Sequence, residues 1–288
     1  MTPTVTLLNK LGRNKDKSID KAKSSLTKET LLAQKRLTKF IVNQYLPNLD
    51  VSDGVIKNTN ANIVKANNIG RLTSFVNNEI NKSLEKRYLQ SFKDIGSKSV
   101  DYFNEFNITP KQRAAILKRN RQLVRIFVSG LFDNNQLVAD VANTTSKAVV
   151  SGLPYSDLKE AIEGQINGVD GRKGAIERYH YNNGFDEIQA YSRNLDNNFS
   201  EKLSLNYAIY TGGEIKTTRA FCDSRNGKVF NREEIEEMGK LQWQGKKPDN
   251  NIFTDMGGYN CRHYWNWISY ELAKRLRPDV PKSKLDKR

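Results

Sequence analysis

Two cysteines and two histidines are the chain's full stock of thiol and imidazole ligands, and three of these four fall at positions where they can act together. Cys261 and His263 are separated by one residue, so on an extended segment both side chains point to the same side, where Cys222 can join them. Three such ligands suit Zn²⁺, with a water, Asp223 or Asp255 in the fourth position. The same residues also fit two buried apolar thiols beside a hydrogen-bonded core histidine, or a Cys222–Cys261 disulfide, and the spacing leaves these readings open. In a reducing compartment such a pair more often stays as thiols or binds metal. A thiol near an imidazole is also the pair that nucleophilic catalysis needs, with Cys222 or Cys261 attacking and His263 as base. Neither cysteine, however, sits in the local pattern of a known cysteine hydrolase. His180, in Arg178-Tyr179-His180-Tyr181, reads as a surface or packing residue. No Gly-rich phosphate loop, paired-carboxylate motif or His-Glu-x-x-His occurs, so the chain is expected not to be an enzyme.

The residues around the cluster form ordered blocks. Thr217-Thr218-Arg219-Ala220-Phe221-Cys222 comes first, then Arg225-Asn226-Gly227-Lys228-Val229-Phe230, a polar insertion containing Trp243, and Gly257-Gly258-Tyr259-Asn260-Cys261-Arg262-His263-Tyr264-Trp265. Arg219 and Arg225 are expected to brace a thin core by pairing with Asp223 or Asp255, in preference to contacting a partner or DNA phosphate. Tyr259, Tyr264, Trp265, Trp267 and Tyr270 alternate with polar residues, as a base-stacking platform or, more often, the core of a small sheet would.

This order of blocks resembles the C-terminal domain of the Mu F-like minor head (head-morphogenesis) family of tailed bacteriophages. The resemblance spans roughly residues 174–269 and is carried by Arg219, Phe221, Cys222, Arg225, Gly227, Gly258, Tyr259, Cys261, Arg262 and His263. Many members carry a second Cys three residues after the first; here that position is Arg225, which weakens a four-cysteine metal site. The resemblance implies a structural protein of the virion head, made in the host cytoplasm and present in several copies. Its implied partners are the portal or major capsid protein and packaged DNA, and its role is head assembly and DNA packaging or ejection. The alternatives are a virion-delivered enzyme or toxin and a sequence-independent DNA-binding protein.

The elements that must position these residues follow from periodicity. The fold class is mainly α, with an elongated helical N-terminal region and a small C-terminal α+β module. Residues 1–18 read as a basic flexible arm and 19–173 as a helical region that docks on head proteins. Residues 174–273 read as the module and 274–288 as a basic disordered tail. Within the helical region, Gly96 is a plausible helix break and Thr109-Pro110 a helix start. In the module, Asn206–Tyr210 and Gly227–Phe230 are credible strands, Asn231 and Glu234 a capping box, and Asn260–Ser269 an extended segment.

Lys and Arg outnumber Asp and Glu by 47 to 32 in 288 residues, a net charge of +15. That surplus favours polyanions or acidic protein surfaces. It is densest at Lys111, Arg113, Lys118, Arg119, Arg121 and Arg125, a run without a single acid, which should form a basic stripe for DNA phosphates. No apolar run is long enough for a signal peptide or a membrane span.

Overall fold

The computed structural model describes residues 4–130, 135–180 and 184–287, with side chains at all of these except 122, 123, 125–130, 135, 179 and 287. The chain is mostly helical, with long N-terminal helices and a small C-terminal three-stranded sheet carrying short helices. Its first half comprises α1 (Val5–Phe40), a hairpin of β1 (Val51–Ser52) and β2 (Val55–Ile56), α2 (Asn60–Asn67), α3 (Gly70–Phe75), α4 (Lys82–Asn104) and α5 (Pro110–Gly130). Then come α6 (Asn135–Ser151), α7 (Tyr155–Asn167), α8 (Ala175–Tyr179) and α9 (Phe185–Lys202). The C-terminal part holds β3 (Tyr207–Thr211), α10 (Ala220–Asp223), β4 (Val229–Asn231), α11 (Arg232–Lys240), β5 (Tyr264–Ile268) and α12 (Tyr270–Leu276).

Local chemistry explains several boundaries. Thr109 Oγ1 accepts from Gln112 N at 3.2 Å while Gln112 Oε1 accepts from Thr109 N at 3.0 Å, a reciprocal cap that starts α5 at Pro110. Asn231 and Glu234 cap α11 in the same way, with bonds of 2.8 and 2.9 Å. Asp53 and Gly54 take the positive φ values that a two-residue hairpin turn between β1 and β2 needs. Gly96 breaks nothing: it lies inside α4, where a Cβ would stand 3.3 Å from the Tyr191 hydroxyl, so the missing side chain admits that ring.

The chain divides into two compact units, each assembled from distant segments: Met1–Ala22 with Gln90–Phe127 and Phe185–Arg288, and Lys23–Leu89 with Val128–Gly184. The contiguous division at residues 173 and 174 is therefore corrected. The second unit has an aliphatic core of Leu37, Ile41, Leu72, Ile80, Val141, Val149 and Ile162. There Phe40 stacks on Phe75 with centroids 4.1 Å apart, and buried His180 meets the Tyr88 hydroxyl through Nδ1 at 2.8 Å.

In the first unit the strand order is β4-β3-β5, antiparallel throughout, with Tyr207 opposite Asn231 and Ile268, and Tyr210 opposite Trp265. Every residue of β5 is buried. Two expectations fail here for the same reason, the need to cover this small sheet. The flexible arm proves helical from Val5, with Leu8 and Lys15 buried. The disordered tail proves packed: Arg277 Nη1 donates to Val229 O and Glu234 Oε2, Asn231 Nδ2 to Pro281 O, and Ser283 N to the Tyr207 hydroxyl. Val280 and Ser283 are buried.

Candidate metal centre

The cluster is built at one end of the sheet. β3 delivers Tyr210, the loop after it leads into the single turn α10 that carries Cys222, and the segment entering β5 carries Cys261 and His263. Cys222 Sγ lies 3.9 Å from Cys261 Sγ, and Cys261 Sγ lies 3.8 Å from His263 Nδ1. One ligand atom from each of the three residues falls within 4.8 Å of the others, so the group could hold a metal ion. Their relative exposures are only 2, 4 and 3%. Gly257 lies against the sulfurs: a Cβ there would sit 2.4 Å from Cys222 Sγ and 3.2 Å from Cys261 Sγ. Among the described residues, buried His263 Nε2 has no protein partner, which argues against a fully hydrogen-bonded core histidine.

Electrostatics divide the two thiols. Cys261 is held well below the usual thiol range, first because it accepts a hydrogen bond from Cys222 and then through His263 and the charge of Arg193. Cys222 is pushed up by giving that bond and by burial. The Gly257 amide also donates to Cys261 Sγ at 3.4 Å. Burial raises Tyr210 above its usual range, so its hydroxyl stays protonated and donates to Cys222 Sγ at 3.3 Å. The imidazole of His263 stacks on Tyr210, centroids 5.1 Å apart. Of the two thiols, Cys261 is the one whose surroundings favour the thiolate, the form that binds metals.

Arg193 is the residue that periodicity missed. It projects from α9, is buried, and donates to three carbonyls of the loop entering β5: His263 O at 3.0 Å, Thr254 O at 2.9 Å and Cys261 O at 2.6 Å. Arg193 lies five, two and six residues from the apolar Ile188, Leu195 and Phe199, off the three- and four-residue spacing of their face, so periodicity held no signal for it.

The other motif residues shape the walls. Arg219 and Arg225 are half-buried and bond to carbonyls, not to Asp223 or Asp255. Arg219 Nη2 donates to Tyr259 O at 2.7 Å. Arg225 Nη1 donates to Phe221 O at 2.8 Å, with the guanidinium 3.9 Å over the Phe221 ring. Asp255 pairs with Lys247 at 3.0 Å and Asp223 is exposed, so neither joins the three ligands. Gly227 turns the chain into β4 at φ +77°, and Gly258 adopts φ +96° where a Cβ would meet Gly245 O at 1.9 Å. Tyr259 and Arg262 are exposed. Trp265 and Trp267 are buried in the sheet core rather than forming a stacking platform.

On α5, Lys111, Lys118, Arg119 and Arg121 are exposed and Arg113 is half-buried; the side chain of Arg125 lies outside the described residues. An open groove of about 1240 Å³ runs beside β4 and α11. Its carboxylates are engaged: Glu233 accepts from Ser283 and the Lys284 amide, Glu234 from Asn231 and Arg277, and Glu237 from Lys240. Among the described residues no helix is long and apolar enough to cross a membrane. Comparison with protein-family models, with curated proteins and with solved structures found no match.

Proposed function

We propose that this chain is a structural minor head protein of a tailed phage, without an enzymatic reaction of its own, and that Cys222, Cys261 and His263 hold a structural Zn²⁺. One observation carries the reading. The two sequence blocks that resemble the minor head domain, Arg219-x-Phe221-Cys222 and Gly258-Tyr259-x-Cys261-Arg262-His263, fold against each other around a single buried cluster. Zinc-bound thiolates at about 2.3 Å in a tetrahedron stand about 3.8 Å apart, close to the 3.9 Å between the two sulfurs. Zinc would tie α10 to the entry of β5 and neutralise the thiolates, and the burial of both thiols favours this structural role over a nucleophile that must reach substrate.

In the virion the protein would sit on the portal or inner capsid and contact packaged DNA. The exposed Lys111, Lys118, Arg119 and Arg121 support phosphate contacts insensitive to sequence, and the same residues favour the second reading, a plain DNA-binding protein. The test is location and loss. The protein is expected in purified heads after mild washing, and deletion is expected to leave heads missing, aberrant or non-infectious while early phage gene expression stays normal. Recovery only from the soluble fraction, with infectious particles made in its absence, would reject the head assignment. Elemental analysis of protein purified without chelator is expected to approach one zinc per chain.

A further inference from the structure

A second buried cluster, independent of the metal centre and of the head assignment, lies where α1 meets α9. Lys15 Nζ donates directly to Asp196 Oδ2, and the two side chains are only 2 and 4% exposed. The ammonium has this one carboxylate and otherwise faces rings, with Tyr264 5.0 Å and Tyr102 5.8 Å from Nζ. Among the described residues the other carboxylate oxygen, Asp196 Oδ1, meets no donor in full hydrogen-bonding geometry, although the buried hydroxyl of Ser99 lies close enough to favour the charged carboxylate. An ion pair this dry and this incompletely bonded leaves a large desolvation cost uncompensated. A neutral amide in the same place would carry one N–H and one C=O and no charge, and its burial cost is far smaller.

We propose that Lys15 and Asp196 are the two halves of an intramolecular isopeptide bond, formed when the Lys15 amine attacks the Asp196 carboxyl carbon. The step balances with the groups present. One proton first passes from the Lys15 ammonium to the Asp196 carboxylate within the ion pair; Nζ then forms the N–C bond to Cγ, and the adduct breaks one Cγ–O bond. The departing hydroxyl takes a proton that originates on the amine, and one water is released. No oxidant, cofactor or activating nucleotide is consumed. Burial pushes the Asp196 carboxyl up towards its protonated form, the electrophilic state, against the pull of Lys15. Asp16, next to Lys15, accepts from the Tyr264 hydroxyl and interacts with both Lys15 and Asp196. Burial raises it as well, so it is the group suited to relay the amine proton to the leaving hydroxyl. Contact between the reacting groups supplies the proximity, and exclusion of water protects the amide from hydrolysis.

The bond would staple the start of α1 to α9, close to β5, the strand that the cluster histidine leads into. The experiment is mass spectrometry of the full chain, denatured, reduced and freed of metal. The intact mass is expected to be lower than that of the linear chain by one water. Proteolysis is expected to give one branched peptide joining the segments that contain Lys15 and Asp196, while Lys15→Arg, which keeps the ion pair and cannot form the amide, restores the linear mass. Wild-type protein at the full linear mass would overturn the proposal, and so would a loss of water that maps to any other residue. The wild-type measurement decides the matter even if the variant fails to fold.

Discussion

Replacing Arg193 with Met is the sharpest test of how the candidate metal centre is held. Met keeps an unbranched apolar stem but removes every donor, so the carbonyls of Thr254, Cys261 and His263 lose their shared partner at 2.6 to 3.0 Å. A hydrogen bond to a charged group contributes about 1.5–3 kcal/mol. The three are made by one guanidinium and cannot be added in full, and the bond to Thr254 is only partly buried. A loss of about 4 kcal/mol is therefore expected. All three tryptophans, Trp243, Trp265 and Trp267, belong to the unit that contains Arg193, so their fluorescence reports its unfolding alone. With a urea slope of about 2 kcal/mol/M the midpoint should fall by about 2 M. Arg193→Lys keeps the charge but not the planar fork and should lose about half as much. Because Arg193 also steadies the residues that carry two proposed ligands, zinc affinity should weaken by about 10–100-fold. A Met variant whose tryptophan transition moves by less than about 0.5 M would refute the view that Arg193 holds this loop.

Gly257→Ala should abolish zinc retention, measured by elemental analysis, because the added Cβ would stand 2.4 Å from Cys222 Sγ. In the other unit, burial lowers His180 from 6.5 to about 4, so it folds neutral. Its contribution should be full above pH 6.5 and fall by at most about 3 kcal/mol as pH drops towards 4; hydrogen exchange in α6 and α7 should show this, and His180→Gln should flatten it. Removing residues 277–288 should destabilise the sheet by about 3 kcal/mol in the tryptophan-monitored transition, since Arg277 and Ser283 bond to β4, α11 and Tyr207. Exchanging Lys118, Arg119 and Arg121 for Glu should lower the salt slope of DNA binding by about 3, and an unchanged slope would remove α5 from the interface.

Much of the local structure was legible because its signals are local. The Thr109-Pro110 start, the Asn231–Glu234 box and the strands near 207 and 229 depend on residues a few positions apart, and the structure contains each of them. The Asp53-Gly54 turn was equally local and went unread between two very short strands. The cysteines and His263 could be named as a possible ligand set from type and spacing, yet only the antiparallel pairing of β3 with β5 brings Cys222 to the other two. Composition misled at both ends of the chain. Basic, weakly periodic segments read as free in solution, whereas residues 5–18 and 277–286 are held by the core of the first unit. Arg193, Lys15 and Asp196 mark the deeper limit. A charged side chain is assigned to water by its own chemistry, and it enters the interior only where partners from distant segments replace the water: three carbonyls for Arg193, and each other for Lys15 and Asp196. Periodicity registers the burial of apolar groups along one helix; the exchange of hydration for distant polar partners is decided only when the tertiary structure brings them together.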